Sequence, residues 1–546
     1  MLEIFLEEQP IELNESFGGL DLNLINPLFS DLNSHSFSFY TPKNPVILSI
    51  INYSVINNTY EYKKPYNMII RFGSFRIQGI AYILNVEEEI EWYFVEDSTQ
   101  LANKLKRKSL KDLTYSENID RQDIDDASQT STKPYSFFPM DITDEDLITA
   151  DQDGDHIQRY IANYYSDNGI LNGKFIPDHE SSMHSTSQSV NNINRIHSFH
   201  NPFFRLHFVF DQIISALGLR AETNIFDTDS TLRQIVVIYL NPSDKVNNQG
   251  EMGTAYLKDY LPDMKFNEFN REIERLIGIK IIINTTNMDI NIVNIIDLIN
   301  ASPADDLTHI LESIYGFQPH ESKNFNLKYS RDSEDSYLQE SGQFEDHYYE
   351  EDPENAIEDY QVKLDSLPTI NQGEYFYKET EPSTDYYEYY YRSWEIPKIN
   401  VKFKFNTSQS FYIKLIPEKE QKLRLLFAKG SENESARKKY NSSDDTYTNE
   451  TVDVYNAGRY KTPSLSFNWI DSGIGMFEEK LKPLLFWENN LKKILKAKIN
   501  FDSGDLAKID FKRTYTLDNY KCFISKIPIT LKLNSIKIGE CEVVAV

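Results

Sequence analysis

Between Tyr66 and Ile83, apolar side chains recur at every second position on both sides of one pair of small residues. Tyr66, Met68, Ile70 and Phe72 fall on one face, Gly73 and Ser74 follow, and Phe75, Ile77, Gly79, Ala81 and Ile83 return. A period of two places alternate side chains on opposite faces of a strand, so the stretch is read as a β-hairpin. Gly73-Ser74 is its tight turn, and Gly79 is counted with Gly73 among the turn glycines. Upstream, Leu2, Ile4 and Leu6 alternate with Glu3, Phe5 and Glu7; Pro10 breaks the run and Ile11 and Leu13 resume it, which predicts a half-buried strand pair. Residues 91–96 read as a further strand. Thr41-Pro42-Lys43-Asn44-Pro45 leads into an apolar run at 46–51, a brief helix with proline near its start.

Beyond residue 100 the pattern changes. Residues 100–134 are first basic (Lys104, Lys106, Arg107, Lys108, Lys111) and then acidic and polar, the composition of exposed or mobile chain. Pro202 is expected to begin a helix that carries Phe203, Leu206, Phe210, Ile213, Ile214 and Leu217 on one face, with Gly218 as C-cap. Residues 232–240 form a buried strand. Asp263 is expected to cap a second helix through Phe266, Phe269, Ile273, Leu276 and Ile277, closing at Gly278; a strand at 279–283, a turn at Thr286-Asn287 and a return at 290–296 complete the unit. Residues 401–405 return to alternation, 431–458 are polar and read as a loop, and 476–495 read as one helix or two because of Pro483, with Lys492, Lys493 and Lys496 at the C-terminal end. Strands at 520–527 and 542–546 end the chain.

The expected fold class is therefore α+β and β-rich, multi-domain, with β-barrel-like modules and an inserted helix–hairpin α/β region. The expected divisions are an N-terminal β module at 1–100, a linker at 101–134, an α/β domain at 135–300, an acidic and Tyr-rich insert at 301–395, and a β-rich C-terminal domain at 396–546. No regular internal repeat is present.

Charge narrows the function classes. The 546 residues hold 84 acids and 56 bases, a net charge of −28. Such a field repels phosphate backbones, so tight nucleic-acid binding is not expected, whereas passive passage of DNA past an acidic wall is compatible with it. The most skewed stretch is 331–359, with twelve acids and the single base Arg331. Asp332, Glu334, Asp335, Glu345, Asp346, Glu350, Glu351 and Asp352 are its candidates for an electronegative lumen or an assembly contact, against the plainer reading of a long exposed loop. Tyrosines cluster next, at 375, 377, 386, 387 and 389–391.

Few residues point to chemistry. Cys522 and Cys541 form no CxxC pair and read as strand residues in a reducing compartment. Asp151-Gln152-Asp153-Gly154-Asp155 opens like a calcium loop, but His156 and Ala162 stand where such a loop needs Gly and Glu. His179, His184, His197, His200 and His207 crowd one Ser/Asn-rich region without metal-ligand spacing. Trp92 beside Glu91 and Trp394 beside Glu395 are aromatic–acid neighbours of the kind that line sugar sites, though such aromatics more often pack in a core or an interface. No catalytic, metal or cofactor site is expected. The first residues show neither a basic n-region nor an apolar h-region, and no run of about 18 apolar residues occurs, so the expectation is a chain kept in a cytoplasm with no membrane span.

Four soft patches carry a resemblance: Asn26-Pro27-Leu28-Phe29 through Pro45; the hairpin with Gly73 and Gly79; Asn201-Pro202-Phe203-Phe204 through Gly278-Ile279-Lys280; and Gly475-Met476-Phe477-Glu478-Glu479-Lys480 to the end. In these the chain resembles tail proteins of phages and prophages of Bacteroidetes bacteria, relatives of the tail-hub and distal-tail proteins of long-tailed phages. The resemblance implies a ring that continues the tail tube, a homotrimer if hub-like or a hexamer if distal-tail-like, assembled in the host cytoplasm with tube, tape-measure, tip or fibre proteins. A receptor- or glycan-binding adhesin, a carbohydrate-active enzyme and a component of a contractile injection system are the alternatives.

Overall fold

In the computed structural model, residues 1–13, 17–29, 36–51, 64–120, 123, 132–137, 163, 201–241, 253–284, 288–318, 324–329, 423–427, 475, 477–487 and 493–546 are described, together with the backbone of strand segments between 140 and 199 and between 347 and 457. The seven N-terminal strands follow the alternation closely: β1 (Leu2–Leu6), β2 (Gln9–Ile11), β3 (Leu20–Ile25), β4 (Ser36–Pro42), β5 (Tyr66–Phe72), β6 (Phe75–Val86) and β7 (Glu89–Glu96). Six of them form one sheet in the order β2-β1-β5-β6-β7-β4. The hairpin pairs Phe72 with Phe75, leaving Gly73-Ser74 as a two-residue loop with Gly73 at φ 59. Glycine is suited to that first turn position because it lacks a Cβ.

Two local expectations are corrected. The break after β1 falls at Glu7-Glu8, both in left-handed conformation (φ 47 and 66), rather than at Pro10. Pro10 lies inside β2, an edge strand, where a missing N–H costs no ladder bond. Gly79 is not a turn residue. It pairs with Met68 on one side and Glu96 on the other, and a Cβ there would lie 2.2 Å from the Val95 carbonyl oxygen. Close approach of the neighbouring backbone is what requires glycine. Gly79→Ala is expected to destabilise the protein by about 1–3 kcal/mol through forced strand displacement, read as a lower unfolding midpoint in urea; an unchanged midpoint would show that the strands part freely.

The brief helix α1 (Pro45–Ile50) starts as read, with the Asn44 side chain accepting from the Ile47 amide at 2.8 Å and Ile47 fully buried. The stretch read as exposed linker is packed over its first part. In α2 (Asp97–Arg107), Leu101 and Leu105 lie one turn apart and enter a core that also takes Leu110, Leu113 and Ile119. The basic residues mislead because the exposed positions of an amphipathic helix carry them, while the leucines set its buried stripe.

That core belongs to an α/β module. Phe203 and Phe204 form a short strand against Tyr135 and Ser136 before α3 (Leu206–Leu217), so the helix begins later than Pro202; it ends at Gly218 with φ 72, the left-handed C-cap expected. Next comes β8 (Ile235–Ile238), buried throughout. In α4 (Phe266–Ile277) the residue before the first turn is Lys265, which makes no side-chain cap, so Asp263 does not cap the helix. Gly278, at φ 65, passes the chain to β9 (Ile279–Asn284), which pairs along its whole length with β10 (Asp289–Asn294). The expected turn at Thr286-Asn287 lies outside the described residues.

The C-terminal strands β11 (Leu311–Gln318), β12 (Lys493–Ile499), β13 (Tyr520–Leu531) and β14 (Cys541–Ala545) join in the order β11-β12-β14-β13, and β3 completes the sheet. Leu20 to Ile25 pair with Leu531 to Lys526 in antiparallel register. The two sheets share one core: Leu2, Ile4, Met68, Ile83 and Trp92 pack in the same cluster as Leu495, Ile499, Ile524 and Val543. The segments assigned to separate terminal domains are thus one β module, with the α/β module between them in sequence. Two small clusters join the modules, Leu28 with Ile282 and Phe523, and Ile295 with Trp487 and Val544.

Three later expectations also change. Residues 477–481 form a π turn and Lys482–Phe486 a short helix with Pro483 in its first turn; Lys493 and Lys496 lie in β12 rather than at a helix end. The polar stretch 431–458 forms much of a hairpin, Arg424–Asn441 paired with Thr446–Ala457. The tyrosine block, apart from Tyr386 outside the described residues, falls on a second one, Thr369–Thr380 paired with Tyr387–Lys398. Backbone groups make a ladder, so polar composition does not forbid one. The β-rich α+β class holds.

Candidate assembly surface

Sheets end in edges, and an edge offers unpaired backbone groups to another chain. Edge strand β2 carries Pro10, which blunts it. Edge strand β11 is different. Tyr315 and Phe317 stand 53% and 59% exposed on it. Its register with β12 pairs Ile314 with Ala497 and Gly316 with Lys496, so Tyr315 is the extra residue of a bulge. Bulges re-aim side chains; here Ile314 stays against the core while Tyr315 and Phe317 face outward.

The charges beside these rings are paired. Lys496 Nζ lies 2.8 Å from Glu540 Oε1, and Lys498 Nζ 2.8 Å from Glu312 Oε1. The Tyr315 hydroxyl donates to Glu540, and this hydrogen bond to the carboxylate pushes its pKa up to about 12. The same contacts, Lys496 first and Tyr315 second, hold the Glu540 carboxyl below its usual range. The Lys496 stem crosses Gly316, where a Cβ would approach its Cβ to 2.9 Å. The result is two exposed aromatics on a strand edge over mutually neutralised ions. Exposed ion pairs add little to stability; their effect here is to remove net charge from the face. Sequence reasoning placed 301–395 in an insert and missed this strand. Register shifts after Leu311 and after Ile314 put its core-facing residues three apart, so no period of two signals it.

The other candidates are distributed as follows. Asp332, Glu334, Asp335, Glu345, Asp346, Glu350, Glu351 and Asp352 lie outside the described residues, as do the calcium-like segment 151–155 and His179, His184 and His200. Trp92 is no sugar platform: it is fully buried, donates to Thr41 Oγ1 at 2.7 Å and meets Tyr66 edge-on at 5.8 Å. Cys522 and Cys541 are free and buried in β13 and β14, and burial pushes both thiols up to about 12. Among the described residues no group of three His, Cys, Asp or Glu is placed to hold a metal ion, and no helix is long and apolar enough to cross a membrane.

His207 is described, and it is a packed residue of α3. Its Nδ1 has no hydrogen-bond partner. Burial, then the nearby Arg233 and Arg205, lower its pKa to about 4. An unfolded histidine takes its proton near pH 6.5. Between pH 6.5 and 4 the unfolded chain therefore binds the additional proton, and stability falls as pH drops through that window. His207→Leu is expected to flatten this limb of the stability–pH curve in urea titrations. Parallel curves for both proteins would mean that His207 titrates normally in the folded chain.

No family model matches the chain, and no curated protein matches it. Among solved structures it is similar to the 43 kDa tail protein of prophage MuSo2 from Shewanella oneidensis, at 7% identity over 100% of this chain and 97% of that one, with a TM-score of 0.33. It is also similar to the Francisella PdpA–VgrG complex in its lidded form, at 10% identity over 99% of this chain and 70% of that one, with a TM-score of 0.25. Scores at this level carry no argument about mechanism.

Proposed function

We propose that this protein is a non-enzymatic structural component of a phage tail-type assembly, a ring-forming hub that continues the tail tube and lets DNA pass. The observation that carries the reading is the β11 edge, where exposed Tyr315 and Phe317 stand over paired charges. An apolar edge of this kind is a liability in a lone subunit and an asset in a closed ring, which buries edges against neighbours. The four sequence patches support the same reading. A trimer is favoured and a hexamer is the alternative. Tube, tape-measure, tip or fibre proteins are its partners, in a virion tail assembled in the bacterial cytoplasm. The net charge of −28 suits a wall that DNA slides past without adhering.

Native mass of the purified protein at micromolar concentration, with negative-stain images of the same fraction, tests the proposal. A trimer or hexamer with a central hole is the expected result. A chain that stays monomeric alone and also with tail partners overturns it. The tyrosine-rich hairpin at 369–398 favours a receptor-binding adhesin as the second reading. Binding of the isolated protein to host cells, lost on deleting 375–391, would decide for that reading over the hub.

A further inference from the structure

One carboxylate ties the β11 edge together. Glu540 stands between the short strand Ile536–Ile538 and β14, and its backbone is held on both sides. The Gly539 amide donates to the Pro528 carbonyl at 2.8 Å, and a Cβ at Gly539 would lie 3.0 Å from the Pro528 Cβ. Cys541, on the other side, is fully buried. From this anchor the carboxylate meets two groups on two strands. Lys496 Nζ of β12 lies 2.8 Å from Oε1, and the Tyr315 hydroxyl of β11 donates to the same carboxylate. The Lys496 stem crosses Gly316, the residue after Tyr315. The exposed tyrosine and the cation beside it are therefore both held from one side chain. The neighbouring pair, Lys498 with Glu312 at 2.8 Å, links the same two strands without meeting the Tyr315 hydroxyl.

In a lone subunit such a pair contributes little, because Lys496 and Glu540 are 47% and 40% exposed. Its weight changes when the edge closes against another copy. Water is then excluded, and a charge that loses its partner is left buried and unpaired, which strongly disfavours the contact.

We propose that Glu540 is a positioning residue of the β11 edge, whose negative charge holds Tyr315 and balances Lys496, so that protonating it opens the contact between copies. The inference rests on the ring reading and adds its regulation. The groups facing the carboxylate set the sign. Lys496 first and the Tyr315 hydroxyl second stabilise its ionised form. Glu542 pairs with Lys496 across β14 and β12 and acts on it through space without a hydrogen bond. Cys541 lies near Tyr315 as a neutral thiol, its pKa pushed up to about 12 by burial. The contact is thus present above the depressed pKa of Glu540. It is lost as pH falls through that value, below the ordinary glutamate value of about 4.3.

The test uses the full-length protein, with native mass and negative-stain images as readout. At neutral pH, Glu540→Gln removes the charge and keeps the shape. The concentration at which half the protein is assembled should rise roughly tenfold or more. Lys496→Met in the same chain removes the unbalanced cation, while the new amide can still accept from Tyr315. K496M/E540Q should therefore assemble within about threefold of wild type. A merely structural loss at residue 540 is not reversed by a second substitution. In an acid titration wild type should come apart below about pH 4.3 and K496M/E540Q at a lower pH, with circular dichroism separating release from unfolding. E540Q assembling at the wild-type concentration overturns the proposal. So does a double variant no better than E540Q, or one with the same acid midpoint as wild type. Each of these outcomes leaves the ring reading intact, since wild type still assembles. A wild type that stays monomeric, alone and with tail partners, removes the ring reading and this inference with it.

Discussion

Trp92→Ala will cost the β module about 3–5 kcal/mol, the range for removing a fully buried aromatic side chain. The indole sits on β7 in the core shared by both sheets, with Tyr66 edge-on at 5.8 Å and its Nε1–H donated to Thr41 Oγ1 at 2.7 Å. Truncation leaves a cavity between strands that lie almost at opposite ends of the chain, and it strips the buried Thr41 hydroxyl of its donor. Trp92→Phe keeps most of the volume and loses the hydrogen bond, so it should cost roughly 1–3 kcal/mol. Equilibrium unfolding in urea separates the two variants. Equal losses for both would mean that the hydrogen bond, and not the filled volume, dominates this site.

Asn26→Leu should destabilise the protein by about 2–4 kcal/mol, because buried polar groups left without partners cost more than the bond they made. Asn26 is fully buried and bonds three backbone groups through one amide. Its Nδ2 donates to the Phe511 carbonyl at 3.0 Å and to the Ile524 carbonyl at 2.8 Å, and its Oδ1 accepts from the Leu28 amide at 2.9 Å. Leucine fills the space and satisfies none of these. The loss should also appear as faster hydrogen exchange at the Leu28 amide. A variant as stable as wild type would show that water replaces the amide.

Legibility in the sequence followed the range of the forces involved. The hairpin at Gly73, the C-caps at Gly218 and Gly278, and the strand pair after Gly278 were readable because alternation and left-handed glycines are local. The pairing of β3 with β13 was not readable, since Leu22 and Ile529 meet across nearly the whole chain and nothing near either residue names the other. Charge misled at α2, where exposed lysines hid the Leu101–Leu105 stripe, and polarity misled at 431–458, where the backbone pairs as a hairpin. The β11 edge was hidden for a different reason. A bulge at Tyr315 takes the strand out of period, so the residue that makes the surface interesting also erases its signature.

The stitching of β3 into the C-terminal sheet sets an order of events on the ribosome. Asn26 and Ile524 are separated by 498 positions, which at about 5–20 residues per second is roughly 25–100 s of synthesis. For that interval the N-terminal sheet has no second layer, and the apolar faces of β1, β5 and β7 wait for partners not yet made. The α/β module between them has a core of its own and can close first. Nascent chains stalled before residue 520 should therefore protect α3 and α4 from proteolysis while leaving β1 to β7 open to it. The strands at 520–531 and 541–545 act as the fastening that gives the waiting sheet its second layer.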